Sequence, residues 1–372
     1  MPCSGHKNNH ISRGEEEIMS VSIYVLSPSE GSGKTTLIMS MAMKAKELGR
    51  KVGYFKPVGF ASIVGSSGEL VDEDAQNMRE ILQLKEDLSL ICPITLEKFR
   101  FLTKFLEARP SGIREKVMNS YKMVSKDKEL MFIDGPDTIS GGTFLGCSAL
   151  SLARDLGARV VLISRIRDDT FLDDLLLAVD YCHKTKVSLL GVVLNRVPAD
   201  YPEAEKIAKA VLEEEGVEVL GSIPSSDILG ALRVREICEL VGGKVIAGER
   251  GMDKLVRNFL VGAMSMESAI KYFRRTTDKL VIVGGDRTDI ILAALETGAS
   301  AIIATGGLYP SVKVLPRADE LNVPIILVPH DTFTTLQQVQ KIMGKIKPSD
   351  KTRLELAKKL FEENVKWEKI IA

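Results

Sequence analysis

The sequence predicts an α/β protein whose main sheet is parallel. One observation is a series of short, apolar, β-branched runs, beginning with residues 21–26 and 52–55. A second is the helical spacing of apolar residues between these runs, where Leu37, Met41 and Leu48 share one face. Strands that are continuously apolar and alternate with helices are typical of a sheet covered on both faces.

The other predicted elements continue this alternation. Gly49 stands where the first helix should end, because glycine tolerates the left-handed conformation of a helix C-terminus. Further apolar runs predict buried strands at residues 130–133, 160–163, 189–194 and 217–224. After a mixed stretch at 225–279, a second series predicts strands at 280–283, 301–304 and 324–328, with helices at about 289–295 and near Ala318.

The length of 372 residues exceeds that of one ordinary domain and predicts two. We place the first domain at residues 20–226 and a second, smaller α/β domain at 227–347. Residues 1–19 have neither apolar periodicity nor the apolar core of a signal peptide, and they are predicted to be a disordered extension. Residues 348–372 predict a charged C-terminal helix that packs on one of the domains or on a partner.

Composition argues against several classes of protein. The 50 basic residues balance the 50 acidic ones, so nothing favours binding to nucleic acid or to a membrane surface. No apolar run is long enough to cross a bilayer. The five cysteines form no C-x-x-C pair and predict reduced, mostly buried thiols in a cytoplasmic protein. Only four histidines are present, which disfavours a histidine-based zinc site or a Ser-His-Asp triad.

The strongest functional motif is the loop that follows the first predicted strand and opens the first helix. Such a loop is typical of a phosphate-binding P-loop, since its glycines let backbone N–H groups approach phosphate oxygens at a helix N-terminus. Ser27-Pro28 stands where the usual motif has its first glycine. We expect Lys34 to reach the β- and γ-phosphates of ATP and Thr35 to hold Mg²⁺. The predicted nucleotide-binding residues are Gly31, Ser32, Gly33, Lys34, Thr35 and Thr36.

Three other polar residues are placed by the pattern near this loop. Lys56 follows the second strand, where it would meet an anionic substrate or phosphate, or would be a solvated lysine before a turn. Asp134 ends the strand 130–133, and Asp74 lies in an acidic run. A carboxylate near a P-loop commonly reaches Mg²⁺, although Asp134 also suits a simple turn. We therefore predict metal roles for Asp74 and Asp134.

Two further segments allow a functional and a structural interpretation. Asn195 ends a strand, where its amide suits an adenine edge but also suits a turn. In the second domain, the turns at residues 284–289 and 305–307 each follow a strand. Side by side they would form an anion pocket, or they are tight turns with an aspartate helix cap. The second domain shows no acid–base pair or activated nucleophile, which favours binding or regulation over catalysis.

Taken in order, the first-domain motifs resemble dethiobiotin synthetase. The matching segments are the P-loop, Lys56-Pro57-Val58, Asp74-Ala75, Asp134-Gly135, Asn195 and residues 220–224. The resemblance implies that Lys56 contacts substrate, that Asp74 and Asp134 serve Mg²⁺, and that Asn195 reads adenine. This chain has Asp134-Gly135-Pro136-Asp137 where that family has a Glu-Gly-rich turn.

The second domain resembles the DRTGG domain through Asp286-Arg287-Thr288, although Asp289 follows where that motif has glycine. The two domains together resemble the N-terminal, non-catalytic part of long bacterial phosphate acetyltransferases. That resemblance covers residues 20–347 and implies a regulatory role. Because it includes no acetyltransferase domain before Ala372, we expect no acetyl transfer from this chain alone.

Three functional hypotheses follow. In the first, MgATP occupies the P-loop, and a partner enzyme of acetyl metabolism receives the output. The DRTGG-like domain senses a ligand or forms a homodimer, to which its apolar residues, such as Ile290, Ile291 and Leu295, are expected to contribute. In the second, the chain is an ATP-dependent ligase that activates a carboxylate or carbamate near Lys56, with Lys34 and Mg²⁺ neutralising charge. The third is a partner-switching ATPase with no small-molecule substrate. An anion-shaped pocket at Lys56 favours the enzyme, and a blocked surface there favours regulation.

Overall fold

The computed structural model describes residues 20–61, 63–64, 70–97, 102, 112–342 and 345–371. The predicted N-terminal extension, residues 1–19, lies outside the described residues. Two separate central sheets, each with helices packed on both faces, account for most of the described chain. The prediction of an α/β fold with a mainly parallel sheet is confirmed.

The first region is built on a six-stranded sheet. In chain order the strands of the whole region, inside and outside this sheet, are β1 (Val21–Leu26), β2 (Val52–Phe55), β3 (Val58–Phe60), β4 (Ile63–Val64), β5 (Leu70–Val71), β6 (Ile94–Leu96), β7 (Leu130–Asp134), β8 (Arg159–Arg165), β9 (Ser188–Val197) and β10 (Val219–Pro224). The central sheet has the order β10-β9-β8-β1-β7-β2, and every pairing in it is parallel. The strands β3–β6 and β4–β5 form two small separate pairs.

Helices cover both faces of this sheet. They are α1 (Lys34–Glu47), α2 (Glu73–Leu82), α3 (Leu88–Ile91), α4 (Ile113–Ser125), α5 (Ala149–Asp155), α6 (Phe171–Thr185) and α7 (Pro202–Glu214). α1 ends as predicted, because Gly49 takes a φ of +78° directly after the last turn. Two apolar cores lie on opposite faces of the sheet, one beneath α1 and α2 and the other beneath α4 to α7. Strand β1 is buried on both faces, as its continuous apolar run predicts.

The second region has a five-stranded sheet of its own. The strands of this region are β11 (Leu232–Arg233), β12 (Lys244–Ala247), β13 (Leu255–Val256), β14 (Asn258–Val261), β15 (Lys279–Gly284), β16 (Ala301–Thr305) and β17 (Ile325–Leu327). Of these, β11 and β13 form a separate pair outside the sheet. Its helices are α8 (Asp227–Gly230), α9 (Val234–Leu240), α10 (Met266–Phe273), α11 (Thr288–Glu296), α12 (Val314–Glu320) and α13 (Thr332–Ile342). The order is β12-β17-β16-β15-β14, and only the edge strand β12 runs antiparallel. The exact domain boundaries stay a prediction.

The C-terminal segment returns to the first region. It forms α14 (Lys351–Asn364) and α15 (Trp367–Ile371). Leu354 and Phe361 of α14 belong to the apolar core beneath α1. The chain therefore returns to the first region after the second and completes the first region's core. The backbone N–H of Lys366 donates to the carbonyl of Leu220 at 2.8 Å, which fixes the end of this segment against β10.

Arg353 ties the same helix to the start of the second region. Arg353 as a whole is only 4% exposed. It donates to the carbonyl of Ala231 at 2.7 Å and to the carboxylates of Glu236 at 3.1 Å and Asp350 at 2.5 Å. A buried guanidinium with these partners is fully neutralised, and removing both carboxylates would leave a buried charge without compensation. The helix α14 is therefore anchored to both regions.

We expect Leu354→Ala to lower the free energy of unfolding by about 2 to 5 kcal/mol, because it opens a cavity in the core that α14 completes. Leu177→Ala in α6 is the matched control, since the Leu177 side chain is 69% exposed and its removal should change stability by less than about 0.5 kcal/mol. Urea denaturation of both variants measures the difference. Equal effects would show that α14 does not contribute to the core in solution.

Candidate functional site: a phosphate-binding loop beside a buried charge cluster

The P-loop lies at the centre of the first sheet. It connects β1 to α1, and β1 lies between β8 and β7, where the chain switches from one half of the sheet to the other. In open α/β sheets the ligand crevice lies outside the carboxyl ends of the strands at this switch. Gly33 takes a φ of +94°, and a Cβ at this position would lie 2.3 Å from Nδ2 of Asn195. Glycine is therefore required at position 33 by both its conformation and its neighbour.

Lys34 is buried and points back over the loop. Its Nζ donates to Oγ of Ser27 at 2.9 Å and to the carbonyl of Asp137 at 3.1 Å. Burial lowers the pKa of Lys34, and the nearby charge of Asp134 partly opposes this effect. Ser27, which with Pro28 stands where the usual motif has its first glycine, thus supplies a hydroxyl oxygen that accepts from the P-loop lysine.

The carboxylate of Asp134 meets the first turn of α1. Because β1 and β7 are parallel neighbours in the register Val25 to Asp134, Asp134 lies next to the start of the P-loop. Its Oδ2 accepts from Oγ1 of Thr35 at 3.1 Å and from the hydroxyl of Tyr54 at 2.9 Å. Its Oδ1 is buried without a hydrogen-bond partner in the described part of the chain. Burial raises the pKa of Asp134, and the nearby charge of Lys56 offsets this effect only in part, so the pKa stays above its ordinary value.

Lys56 is surrounded by carboxylates. Its Nζ lies 2.9 Å from Oδ2 of Asp74, 3.1 Å from Oδ1 of Asp72 and 3.6 Å from Oδ2 of Asp134. Burial alone would lower the pKa of Lys56, but the three carboxylates outweigh it and raise this pKa well above its ordinary value. Lys56 is therefore a permanent buried cation whose charge is already neutralised within the protein.

A lysine from a distant part of the sequence completes this cluster. Lys345 follows α13 and precedes α14, and its Nζ lies 2.7 Å from Oε2 of Glu73 and 3.6 Å from Oδ1 of Asp74. Burial raises the pKa of Asp74, but the charges of Lys56 and Lys345 outweigh it, so that this pKa is well below its usual range. The segment after the second region thus contacts the acids beside the P-loop.

Asn195 contacts the P-loop directly. Its Nδ2 donates to the carbonyl of Ser32 at 2.8 Å, and its Oδ1 accepts from the backbone N–H of Arg196 at 2.9 Å. The side chain therefore supports the loop and the end of β9 at once. It keeps one N–H and one lone pair for a further partner, and its recognition of adenine stays a prediction.

A cavity of about 330 Å³ adjoins the P-loop on the side of β8, β9 and β10. Its walls come from the first turns of α1, from the loops after these three strands and from α14. The residues that line it include Gly33, Thr36, Ser40, Arg165, Asn195, Arg196, Pro198, Ser225, Leu229, Ile346, Leu360 and Phe361.

The structure brings together residues that the sequence placed separately, and it adds others. Thr35, Lys56, Asp74 and Asp134 form one connected cluster beside the P-loop. Sequence reasoning missed the roles of Tyr54 and Lys345 in it. Tyr54 gave no signal because it is one apolar position of a strand, and Lys345 gave none because only the return of α14 brings it near.

In the second region, the two glycine-rich turns lie side by side. β15 and β16 are neighbours in the register Gly284 to Thr305, and Gly285 N–H donates to the Thr305 carbonyl at 3.1 Å. A Cβ at Gly285 would lie 1.7 Å from the carbonyl oxygen of Leu308, so the turns are in tight contact. The guanidinium of Arg287 pairs with Asp289 at 3.1 Å. An anion pocket at these turns stays a prediction.

Two other kinds of feature are absent from the described ranges. No group of three or more histidine, cysteine, aspartate or glutamate side chains is arranged to hold a metal there. No described helix is both long enough and apolar enough to cross a membrane.

Comparison with known protein families agrees with this geometry. Residues 21–233, more than half of the chain, match the family model described as AAA domain. The chain belongs to this AAA domain family. Residues 236–342 match the DRTGG domain. The resemblance to a dethiobiotin synthetase-like P-loop domain joined to a DRTGG domain is therefore confirmed.

Curated relatives match one or both regions. The phosphate acetyltransferase of Nitratidesulfovibrio vulgaris is 23% identical over 93% of this chain and 51% of its own length. The ATP-dependent dethiobiotin synthetase of Methanocaldococcus jannaschii is 24% identical over 60% of this chain and 99% of its own length. The chain spans about half the length of the phosphate acetyltransferases that it matches.

Solved structures with similar folds include two that hold nucleotides. A cobyrinic acid a,c-diamide synthase from Mycobacterium smegmatis, with bound ADP and magnesium, is 16% identical, covers 56% of this chain and 88% of its own, and has a TM-score of 0.38. The CBS and DRTGG domains of a Clostridium perfringens pyrophosphatase, complexed with diadenosine tetraphosphate, are 20% identical over 42% of this chain and 82% of their own, with a TM-score of 0.29.

Gly33→Ala should lower the free energy of unfolding by more than Gly216→Ala does. Both glycines have positive φ, +94° and +70°, so both variants carry backbone strain of about 1 kcal/mol. Only at position 33 does the new Cβ collide with Asn195, because the space at Gly216 is open within 4 Å. Urea denaturation compares the two. If the two variants lose the same stability, the contact between Asn195 and the P-loop is not tight in solution.

Proposed function

We propose that the chain is an MgATP-binding regulatory protein that transmits the state of its nucleotide to a partner enzyme. The observation that carries this proposal is the P-loop itself, with Lys34 and Thr35 at the start of α1 and Asp134 against them. Backbone N–H groups of the loop and the N-terminus of α1 favour a polyphosphate, and the buried ammonium of Lys34 adds a full positive charge.

The residues around Asp134 suit Mg²⁺. The orphaned Oδ1 of Asp134 is a buried carboxylate oxygen that needs a partner, and Oγ1 of Thr35 is the neighbouring oxygen donor. Mg²⁺ prefers oxygen ligands and is usually held by one or two protein groups together with phosphate oxygens. We infer that Thr35 and Asp134 hold the ion with the nucleotide, directly or through water. The ion would supply neutralisation of phosphate charge.

Regulation is favoured over ligase chemistry by the surroundings of Lys56. A lysine that binds an anionic substrate needs a free positive charge, but Lys56 is already neutralised by Asp72, Asp74 and Asp134. Lys345 reaches one of these acids, Asp74, from the segment that follows the second region, which connects that region to the nucleotide site. A change in the second region can therefore alter the charges beside the P-loop.

The ligase stays the second candidate. Lys56 lies within 3.6 Å of Asp134 and therefore inside the site, where a bound substrate could displace one of its carboxylates. The matched dethiobiotin synthetase is covered over 99% of its length. In this alternative, Lys56 orients a carboxylate or carbamate, and Lys34 neutralises the transferred phosphoryl group.

The proposed partner is an enzyme of acetyl metabolism. The support is the similarity of this chain to about half of each matched phosphate acetyltransferase. We expect the chain to act on such an enzyme through a surface whose state depends on bound nucleotide.

We also propose a homodimer through the second region, but the surface differs from the one that its sequence suggested. The apolar residues of α11 expected to contribute, such as Ile290, Ile291 and Leu295, are buried in the core of this region. Several strongly exposed apolar residues lie instead in the loop after β16 and at the start of α13. We call Leu308, Tyr309, Val312 and Phe333 the apolar patch. Two-fold dimers are the commonest soluble assembly and bury such patches.

Lys34→Ala should abolish MgATP binding measured by calorimetry, because the phosphates lose their charged partner. Lys126→Ala is the control, since Lys126 is an exposed lysine at the end of α4. This variant should bind MgATP with the affinity of the unsubstituted protein. Circular dichroism and urea denaturation must show that Lys34→Ala stays folded. An unchanged affinity in the folded variant would refute nucleotide binding at the P-loop.

Tyr309→Glu combined with Phe333→Glu should convert the full chain from dimer to monomer in sedimentation, since two charges enter the proposed apolar interface. Tyr272→Glu is the matched control, because Tyr272 is 51% exposed on α10, outside the apolar patch. An unsubstituted chain that sediments as a monomer at high concentration would contradict the proposed dimer.

A further inference from the structure

The cavity beside the P-loop contains two arginines that no established or proposed role uses. Arg165 is the last residue of β8, and Arg196 is near the end of β9. Because Arg165 pairs with Asn195 in the register of these strands, both arginines project from the carboxyl edge of the sheet next to the P-loop. Ligands of parallel sheets bind at this edge.

Neither of these guanidiniums has a carboxylate counterion within the described residues. Among the described residues, no carboxylate lies within 4.0 Å of Arg165 or Arg196, and the residues that line the cavity include no aspartate or glutamate. The third arginine at the cavity, Arg167, differs from them. Its side chain is 56% exposed and pairs with Asp168 at 2.7 Å. Two unpaired, partly buried cations in one cavity are unfavourable unless an anion joins them.

The backbone at Arg196 is held in an uncommon conformation that orients its side chain. Its φ is +52°, in the left-handed region that non-glycine residues rarely adopt. The N–H of Arg196 donates to Oδ1 of Asn195 at 2.9 Å, which stabilises this conformation. Burial and then the neighbouring charge of Arg165 lower the pKa of Arg196, so the two guanidiniums are close enough to repel each other.

The rest of the cavity suits a nucleoside rather than a bare ion. Thr36, Ser40 and Ser225 provide hydroxyl groups, while Leu360 and Phe361 of α14 provide an apolar wall. A volume of about 330 Å³ is at the lower end of the range of small-molecule sites. An apolar wall, hydroxyl groups and two guanidiniums without carboxylate partners in one cavity match a base, a ribose and a phosphate group.

We propose that Arg165 and Arg196 form an anion site for a phosphate group carried at the nucleoside end of a nucleotide, distinct from the polyphosphate site of the P-loop. Guanidinium groups bind phosphate with paired, charge-assisted hydrogen bonds, which makes arginine suited to this role. The phosphate is carried either on the ribose of the nucleotide at the P-loop or by a separate phosphorylated nucleoside. The anion site itself does not depend on the P-loop being occupied.

The test uses calorimetry on the full chain with adenosine 3′,5′-bisphosphate as probe and with adenosine as the reference that lacks phosphate. The bisphosphate should bind more tightly than adenosine. Arg165→Gln and Arg196→Gln should each weaken it by at least about tenfold, because each removes a charged hydrogen-bond donor. Arg167→Gln should change it by less than about twofold, since that side chain is paired with Asp168 in solvent.

Lys34→Ala separates the two sources of the phosphate and separates this proposal from MgATP binding. If the variant loses affinity for the bisphosphate, the phosphate belongs to a nucleotide that also occupies the P-loop. If affinity is retained, the ligand is a separate phosphorylated nucleoside. Either result supports the anion site when Arg165→Gln and Arg196→Gln also weaken the bisphosphate, and the second does so even if ATP does not bind.

Arg196→Lys distinguishes the loss of a charged phosphate ligand from a general loss of folding. It keeps the charge in the same backbone position and should recover part of the affinity lost in Arg196→Gln. The proposal is overturned if the bisphosphate binds the unsubstituted chain no better than adenosine. It is equally overturned if Arg165→Gln, Arg196→Gln and Arg167→Gln bind the bisphosphate alike while urea denaturation shows all three to be folded.

Discussion

The parallel pairing of β1 with β7 is the constraint on which the site depends. Both strands are buried on both faces, so their register is set by the apolar residues that pack above and below them. That register places Val25 opposite Asp134, and the carboxylate therefore meets Thr35 as α1 begins. A shift of one residue would turn Asp134 to the other face of the sheet. Phosphate loop and carboxylate are aligned by packing rather than by their own attraction.

The charge cluster beside this pair is a second constraint, because its members are stable only together. Lys56 is 7% exposed, and the charges of Asp72, Asp74 and Asp134 offset the cost of burying its ammonium group. Asp134 is 1% exposed, and the charge of Lys56 partly offsets the cost of burying its carboxylate. Removing one member of such a cluster leaves a buried charge without compensation, which is costlier than never having built the pair. The cluster thus holds β2, α2 and β7 in one arrangement and keeps a fixed charge pattern next to the P-loop.

The return of α14 to the first region gives the two regions a physical connection. Leu354 and Phe361 bury apolar surface beneath α1, Arg353 contacts Ala231 and Glu236, and the preceding Lys345 reaches Glu73 and Asp74. The same helix lines the cavity that holds Arg165 and Arg196. A ligand in that cavity and a movement of the second region would both act on α14. The proposed regulation therefore has a defined structural element through which the sites can be coupled.

The sequence by itself determined the local elements and the phosphate loop. Apolar periodicity depends on neighbouring residues, and the glycines with Lys34 and Thr35 carry their chemistry within a few positions, so both are readable along the chain. The approximate meeting of Asp134 with the P-loop followed from the rule that strand ends share one edge. Only the tertiary structure decided that carboxylates neutralise Lys56, that Lys345 pairs with Glu73 and Asp74, and that the apolar residues of α11 form a core rather than an interface. Those facts depend on contacts between residues as many as 272 positions apart, which arise from packing and leave no local pattern.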